Sequence, residues 1–167
     1  PTSGSLTFSG AAPQISSSHA LYDIAVADST TLTALTALDI RNAEIGTSGG
    51  ASLVLANATQ TFRGSATGTG TGTLDASAIG AANTLTVQGN LGVPAGTALS
   101  AFLAPAGAVN VEGNWNVANL TLAGTPGTIS FTGSTSPATI RSNGQNLGVL
   151  AVNKTNTTDI VRLSGNL

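Results

Sequence analysis

The sequence predicts an all-β protein, a right-handed parallel β-helix (β-solenoid) of about seven coils. Short runs that alternate apolar with small or polar residues occur along the whole chain. Clusters of Gly, Pro, Asn and Ser interrupt these runs at intervals of about six to ten residues, as turns do. Segments of similar sequence also recur, which is typical of stacked supersecondary units. A β-sandwich is the alternative, but it would need an asymmetric pattern of long and short connections.

Two recurrences define the repeat. Residues 4–10 (GSLTFSG) resemble residues 127–133 (GTISFTG), and a Leu-x-x-[Ile/Leu]-x-Val string follows each at 21–26 and 147–152. Gly-Asn before a large apolar residue occurs at 87–91, 111–115 and 163–167. In a solenoid, inward residues stack on equivalents above and below, and parallel strands are joined by right-handed crossovers. We expect Gly and Asn at the corners, because both tolerate positive φ.

Strands are predicted wherever apolar residues recur with a period of two, because this period places one face of each run inward. The predicted strands are 5–8, 24–27, 52–56, 84–88, 108–112, 118–123, 128–131, 149–153 and 160–164. Residues 28–45 are rich in β-branched Thr, which disfavours helix, so they predict strand–turn–strand with a short helix as the minor alternative. Residues 67–73 (TGTGTGT) predict an exposed loop or a flat edge strand, because alternating Gly weakens a strand.

Composition indicates one continuous domain over residues 1–167. The chain is 41% hydrophobic but only 7% charged, whereas an average domain has about 25% charged residues. Low charge together with ample hydrophobicity argues against disorder. The first residue is Pro rather than Met, which predicts either a removed leader or a segment of a longer chain.

Charge and composition exclude several classes of protein. With five basic residues and a net charge of −2, the chain lacks the basic surface that nucleic-acid binding requires. No apolar run approaches the ~20 residues that span a bilayer. Cys is absent, so disulfide and thiol chemistry are excluded. With a Thr/Ser/Asn-rich surface, this favours a secreted, extracellular protein.

The order of motifs in residues 111–167 resembles a β-solenoid repeat of large secreted bacterial surface and adhesin-like proteins. In that family a Gly-[Asp/Asn]-Trp corner precedes a Val/Ile-x-Phe-x-Gly strand, a Gln-x-Ile strand, an apolar pair before an Asn-rich turn, and a Leu-x-Gly-[Asp/Asn]-Leu strand. Residues 4–40 match the first half and residues 41–110 match loosely. Thr139 stands where the family has Gln. The resemblance implies an extracellular scaffold and no particular ligand.

Candidate catalytic and metal-binding residues are few. His19 is the only histidine, and a metal site needs several ligands, so we interpret it as a solvent-facing turn residue. The seven acidic residues lie mostly near predicted turns, and acid/base catalysis needs a close pair. Asp23 and Asp28 are near each other in sequence without an intervening Arg or Lys. We therefore predict no enzyme activity, no metal and no cofactor.

Aromatic residues are assigned mainly to the core. Phe8, Phe62 and Phe131 share a Thr/Ser-Phe-x-Gly context and are predicted to stack with Trp115 inside the coils. Tyr22 and Phe102 are the plausible exposed rings, too few for a carbohydrate-binding platform. Glycosylation sequons begin at Asn57, Asn119, Asn153 and Asn156, and whether they are used is left open.

The expected function is structural. The predicted partner is the chain itself, in a head-to-tail homopolymer of a cell-surface fibre or adhesin stalk, because uncapped solenoid ends template further pairing. The predicted assembly interface is formed by Leu6, Phe8, Ile160, Leu163 and Leu167. Cell-surface or matrix glycans are a further possible partner.

Two alternatives remain open. A carbohydrate-binding or carbohydrate-active β-helix would need clustered carboxylates and exposed aromatic rings on one face. Ice binding, suggested by TGTGTGT, would need Thr-x-Thr at the coil period, and the sequence does not display this.

Overall fold

The computed structural model describes residues 4–68, 71–93, 98–122 and 127–164, and these residues form strands but no helix. The strands are β1 (Ser5–Phe8), β2 (Gln14–Ile15), β3 (Leu21–Val26), β4 (Thr31–Ala34), β5 (Asp39–Ile45), β6 (Ala51–Val54), β7 (Gln60–Phe62), β8 (Ala66–Thr67), β9 (Gly72–Asp75), β10 (Thr84–Val87), β11 (Leu99–Ala104), β12 (Ala108–Val111), β13 (Trp115–Leu122), β14 (Ile129–Phe131), β15 (Ala138–Arg141), β16 (Leu150–Val152) and β17 (Val161–Ser164).

The strands form two long parallel sheets. Sheet 1 has the order β1-β3-β5-β7-β10-β12-β14-β16, with β8 paired to β5. Sheet 2 has the order β17-β15-β13-β11-β9-β6-β4-β2. Neighbours in each sheet come from successive coils, so the fold is a parallel β-solenoid of about seven coils. The predicted fold class is confirmed, and the β-sandwich alternative is wrong.

Three columns of inward side chains run through the stack, because residues of successive coils pair in register. Column 1 is Leu21, Ile40, Phe62, Val87, Val111, Phe131 and Val152. Column 2 is Leu6, Ile24, Ala43, Ala66, Leu91, Trp115, Ile140 and Leu163. Column 3 is Leu32, Leu53, Leu74, Phe102 and Leu120. The alternation of apolar and polar residues thus builds a continuous apolar core.

The core contains an aromatic layer made from all three columns. Trp115 packs edge-on against Phe102, with ring centroids 5.7 Å apart, and against Phe131, with centroids 6.4 Å apart. All three rings are at most 1% exposed. The prediction of an exposed Phe102 is wrong, because this ring lies on the inward face of β11. Its neighbours Ala101 and Leu103 are both apolar, so this run has only a weak alternation of apolar and polar residues.

A ladder of polar side chains runs beside column 2, and we call it the corner ladder. Its members immediately precede column 2 residues and are Asp23, Asn42, Ser65, Asn90, Asn114 and Thr139. The backbone N–H of Ser65 donates to Asn42 Oδ1 at 2.9 Å, and the N–H of Asn90 donates to Ser65 Oγ at 3.0 Å. The N–H of Thr139 donates to Asn114 Oδ1 at 2.7 Å. Asn42, Ser65 and Asn114 thus each satisfy a backbone N–H group of the next coil.

Glycine precedes this ladder for a different reason from the one expected. Gly64, Gly89 and Gly113 have no positive φ. A Cβ at Gly113 would instead lie 2.4 Å from the Gly89 carbonyl O, and a Cβ at Gly89 would lie 2.6 Å from the Gly64 carbonyl C. In the Gly-Asn signature, the Gly allows close contact between the backbones of two coils. The Asn that follows accepts hydrogen bonds from the next coil with its side-chain amide.

The repeats seen in the sequence are partly out of structural register. Leu163 pairs with Ile140 and lies in column 2 with Trp115, although the Gly-Asn motif aligned it with Val87 and Val111 of column 1. Phe8 pairs with Val26 outside column 1, so it is not equivalent to Phe62 and Phe131. Insertions in the turns change the number of residues per coil. Segments that align in sequence can therefore occupy different positions around the coil.

The predicted strand–turn–strand over 28–45 is confirmed by β4 and β5. The prediction for residues 67–73 is wrong where the structure describes them, since Gly72 starts β9, which lies between β6 and β11 in sheet 2. Gly68 and Gly72 are buried, and a Cβ at Gly72 would lie 2.0 Å from the Ile45 carbonyl O. At Gly68 and Gly72, the absence of a side chain permits the close approach of the Ile45 backbone.

Candidate functional site

The last coil exposes residues that continue the core columns. Leu150 and Val152 lie in β16 and are 37% and 55% exposed, and Leu163 in β17 is 49% exposed. Their partners in the preceding coil, Ile129, Phe131 and Ile140, are at most 1% exposed. Val149 and Ile160 of the same coil are also exposed. We call these five exposed residues, Val149, Leu150, Val152, Ile160 and Leu163, the last-coil surface.

The first coil presents a second apolar edge. Leu6 in β1 is 51% exposed, while Ile24, its partner in β3, is 1% exposed. Phe8 is only partly buried and packs against the edge of the core. Among the predicted interface residues, Leu6 and Phe8 therefore lie at one end of the stack, and Ile160 and Leu163 at the other. Leu167 lies outside the described residues.

The two end regions differ in charge. Residues 4–45 contain four acidic residues (Asp23, Asp28, Asp39, Glu44) and one basic residue, Arg41. Residues 127–164 contain one acidic residue, Asp159, and three basic residues (Arg141, Lys154, Arg162). Residues 4–45 thus carry more acidic than basic side chains, and residues 127–164 carry more basic than acidic ones.

Lys154, the only lysine of the sequence, follows β16 and bonds backbone groups at the ends of two neighbouring strands of sheet 1. Its Nζ donates to the carbonyl oxygens of Thr132 at 2.5 Å and Glu112 at 3.3 Å. Burial lowers the pKa of this ammonium, partly offset by the carboxylates of Asp159 and Glu112. This role was not predictable from the sequence, because the two carbonyl oxygens belong to residues of two earlier coils.

The acidic residues of the early coils have structural partners. Arg41 forms a two-point ion pair with Asp23, and Asn42 Nδ2 donates to the same carboxylate at 2.8 Å. The Arg41 guanidinium also lies 4.5 Å from the centroid of the Tyr22 ring. The hydrogen bond from Arg41 is the main reason that the pKa of Asp23 lies below its usual range. Stacking therefore supplies the basic partner that was not visible near Asp23 in the sequence.

Asp28 and Asp39 are also engaged. Asp28 accepts hydrogen bonds from the backbone N–H groups of Thr47 and Ser48 and from the Ser48 hydroxyl, at 2.7–3.1 Å. These bonds hold the pKa of Asp28 far below its usual range, the Ser48 hydroxyl contributing most. Asp39 accepts from Arg63 Nε at 2.6 Å. These carboxylates fasten one coil to the next.

Two shallow grooves lie beside these carboxylates. Asp23, Asn42, Glu44, Ser65 and Thr67 are among the residues that line a groove of about 340 Å³ on the outer face of sheet 1. His19 lines another with Asp39, and its exposed ring nitrogen Nδ1 lies 3.0 Å from Ser18 Oγ.

Among the described residues, no three His, Asp or Glu side chains are grouped as a metal site. Nor does any helix long and apolar enough to cross a membrane occur in that part of the chain.

The sequons differ in their surroundings. Asn57 Oδ1 accepts from the Gly80 N–H at 2.9 Å, and Asn119 Nδ2 donates to the Ser100 carbonyl at 2.9 Å. Asn156 Nδ2 donates to Asp159. Asn153 is exposed at the end of β16.

Comparison with known protein families, with curated proteins and with solved structures finds no match to this chain.

Proposed function

We propose that this chain is a non-enzymatic structural protein, a subunit or stalk segment of an extracellular cell-surface fibre, which lengthens head to tail through its end coils. The observation that carries the proposal is the contrast between Leu150, Val152 and Leu163 and their buried partners one coil below. A further parallel coil would bury these side chains, just as the last coil covers Ile129, Phe131 and Ile140.

The interface chemistry of the two ends is complementary. Burial of a Val or Leu side chain contributes about 1.5–3 kcal/mol when complete, and the open edges of β16 and β17 offer backbone hydrogen bonds. In this arrangement Leu6 of the next copy continues column 2 above Leu163. The basic last coil then faces the acidic first coils. A contact between different ends does not close on itself, so repetition produces a filament.

The resemblance of residues 111–167 to solenoid repeats of large secreted bacterial surface and adhesin-like proteins supports the extracellular location. The low content of charged residues and the absence of Cys also support the extracellular location. The engagement of Asp23, Asp28 and Asp39 in bonds between coils supports a structural role for these residues rather than catalysis.

Assembly is tested on the purified chain with a matched pair of valine substitutions. Val152→Lys places a charge on the last-coil surface, whereas Val54→Lys places the same charge on the lateral face of sheet 2, where Val54 points outward in β6. We expect the wild type and Val54→Lys to form filaments with rising concentration in sedimentation velocity and electron microscopy, and Val152→Lys to remain monomeric. A wild-type chain that stays monomeric at all concentrations would refute self-assembly.

A second candidate function, carbohydrate binding, is favoured by the groove around Asp23, Asn42 and Glu44, whose lining combines carboxylate, amide and hydroxyl groups. Such groups can orient sugar hydroxyls. Titration with soluble glycans tests it, with Glu44→Gln as the variant and Glu112→Gln as the control. Binding that is lost only in Glu44→Gln would favour this candidate over a purely structural role.

A further inference from the structure

Arg162 is an exposed cation that forms no ion pair with any carboxylate in the described part of the chain. The ion pairs found there belong to Arg41 and Arg63, and Lys154 donates to carbonyl oxygens. Arg162 lies in β17, which pairs with β15 on one side and ends sheet 2 on the other. Its guanidinium is therefore available to a group beyond the last coil.

The position of Arg162 in the stack shows what would lie next to it. Arg162 continues the corner ladder, because it directly precedes Leu163 of column 2. Ser5 begins the same ladder at the other end, because it directly precedes Leu6 and pairs with Asp23. When Leu6 of a second copy lies above Leu163, Ser5 of that copy lies above Arg162. Asp23 of the second copy is then two strand spacings from Arg162, about 9–10 Å between Cα atoms.

The groove of about 340 Å³ on the outer face of sheet 1 includes this part of the first coils. Ser5, Asp23 and Glu44 are among the residues that line it. The side chain of Asp23 is 29% exposed. Glu44 is exposed and has no ion-pair partner among the described residues. The groove thus presents carboxylate oxygens to a cation that arrives over the small side chain of Ser5.

A separation of two coils is within reach of an arginine side chain. Arg63 Nη2 donates to the carbonyl oxygen of Leu21, two coils away, at 2.8 Å. Arg162 and Asp23 of the second copy are separated by the same number of coils. Only the short Ser5 side chain lies between them.

The carboxylate of Asp23 has room for one more donor. A carboxylate offers about four acceptor positions on its two oxygens. Arg41 donates to Oδ1 and to Oδ2, and Asn42 donates to Oδ1. These three bonds fix the orientation of the carboxylate and leave an acceptor position on Oδ2 unused.

We propose that the guanidinium of Arg162 enters the acidic groove on the first coils of the next copy and pairs there with the carboxylate of Asp23. This inference rests on the proposed head-to-tail assembly and assigns the contact that sets its register. Burial of apolar side chains is non-directional, whereas a slip of one residue would place Arg162 against the apolar Leu6. A charge left at an apolar contact without a partner is costly.

The first test removes the charge of Arg162. Filament formation by the purified chain is followed by sedimentation velocity and electron microscopy at about 0.1 M and about 1 M salt, because salt screens exposed charges. Arg141→Gln is the matched control for Arg162→Gln, since Arg141 also has no described carboxylate partner and lies in β15, one coil further from the junction.

We expect Arg162→Gln to raise the concentration at which filaments form by about threefold to fivefold at the lower salt, as for an exposed ion pair. At the higher salt the difference from the wild type should disappear. Arg141→Gln should have a clearly smaller effect at both salt concentrations.

The second test exchanges the charges across the junction. Ser5→Arg fills the groove with a cation, and Arg162→Glu brings a carboxylate to it, so each should weaken assembly by about tenfold or more through like-charge contact. The combined variant should assemble nearly as well as the wild type, because residue 5 of the next copy lies directly above residue 162. Circular dichroism and the urea midpoint show that each variant is folded.

The outcomes separate this contact from the assembly itself. Equal effects of Arg141→Gln and Arg162→Gln overturn the contact and leave the head-to-tail proposal standing, as does a combined variant that assembles no better than Ser5→Arg alone. A wild-type chain that forms no filaments overturns both proposals.

Discussion

Asn114 donates both its backbone N–H and its side-chain amide to Oδ1 of Asn90 in the preceding coil, and each hydrogen bond is 2.8 Å long. One oxygen thus satisfies a backbone and a side-chain donor of the next coil. Asn114 in turn accepts from the Thr139 N–H. The corner ladder therefore fixes the register between coils, whereas the apolar columns supply non-directional stabilisation.

Replacement of Asn90 by Ala should destabilise the protein markedly. The variant removes the acceptor for two donors of Asn114, and an unsatisfied buried polar group costs about 1–3 kcal/mol. The free energy of unfolding is measured by urea denaturation. Asn153→Ala is the control, because Asn153 is exposed at the end of β16, and its effect should stay within about 0.5 kcal/mol. Equal effects of the two variants would contradict the ladder's role.

Gly113→Ala should destabilise by at least about 1–3 kcal/mol, the usual cost of overpacking. The added Cβ would lie 2.4 Å from the Gly89 carbonyl O, which is backbone and cannot rotate away. Gly50→Ala is the matched control, since a Cβ there meets no atom within 4 Å and φ is not positive. The same urea measurement applies, and a neutral Gly113→Ala would show that the coils can separate at this corner.

These two positions show what could and could not be predicted from the sequence. The alternation of apolar residues in β10, β12 and β14 was sufficient to predict the strands, because a period of two is local, and the recurring segments were needed to predict the solenoid. The reason for Gly113 was not accessible, since it depends on how closely the next backbone approaches. Coil length varies from the step Leu6–Ile24 to the step Ala66–Leu91, so a single alignment period misplaced Phe8 and Leu163.

The candidate site was predictable only as a list of end residues. Leu6, Ile160 and Leu163 were recognised from their place in the repeat. Lys154 was not, because its partners are carbonyl oxygens of distant coils.

Phe131→Ala should cost about 3–5 kcal/mol, as expected for a large buried aromatic side chain. Phe131 is fully buried and contacts Trp115 edge-on. Phe8→Ala is the comparison, because Phe8 is only partly buried at the first coil, and its effect should be clearly smaller. A Phe131→Ala effect below about 1 kcal/mol in a denaturant melt would be incompatible with the aromatic layer.

Stability should fall in acid through Asp28. The hydrogen bonds from the Ser48 hydroxyl and from the Thr47 and Ser48 N–H groups hold its folded-state pKa well below the ordinary value of 3.8. A carboxyl with a lowered folded-state pKa contributes stability that is present above its unfolded pKa. This contribution is lost as the pH falls through about 4 toward the folded-state value.

Urea unfolding of the wild type and Asp28→Asn between about pH 7 and pH 2 tests this linkage. The variant should be less stable at neutral pH and should show a shallower loss of stability in acid. Some acid dependence should remain, because Arg41 also lowers the pKa of Asp23, and Asp23→Asn combined with Asp28→Asn should reduce it further. Ser48→Ala should give an intermediate slope, since it removes the strongest single donor to Asp28 and leaves the backbone donors. Parallel pH profiles for the wild type and Asp28→Asn would mean that the Thr47–Ser48 turn opens in solution and that Asp28 does not fasten it to the preceding coil.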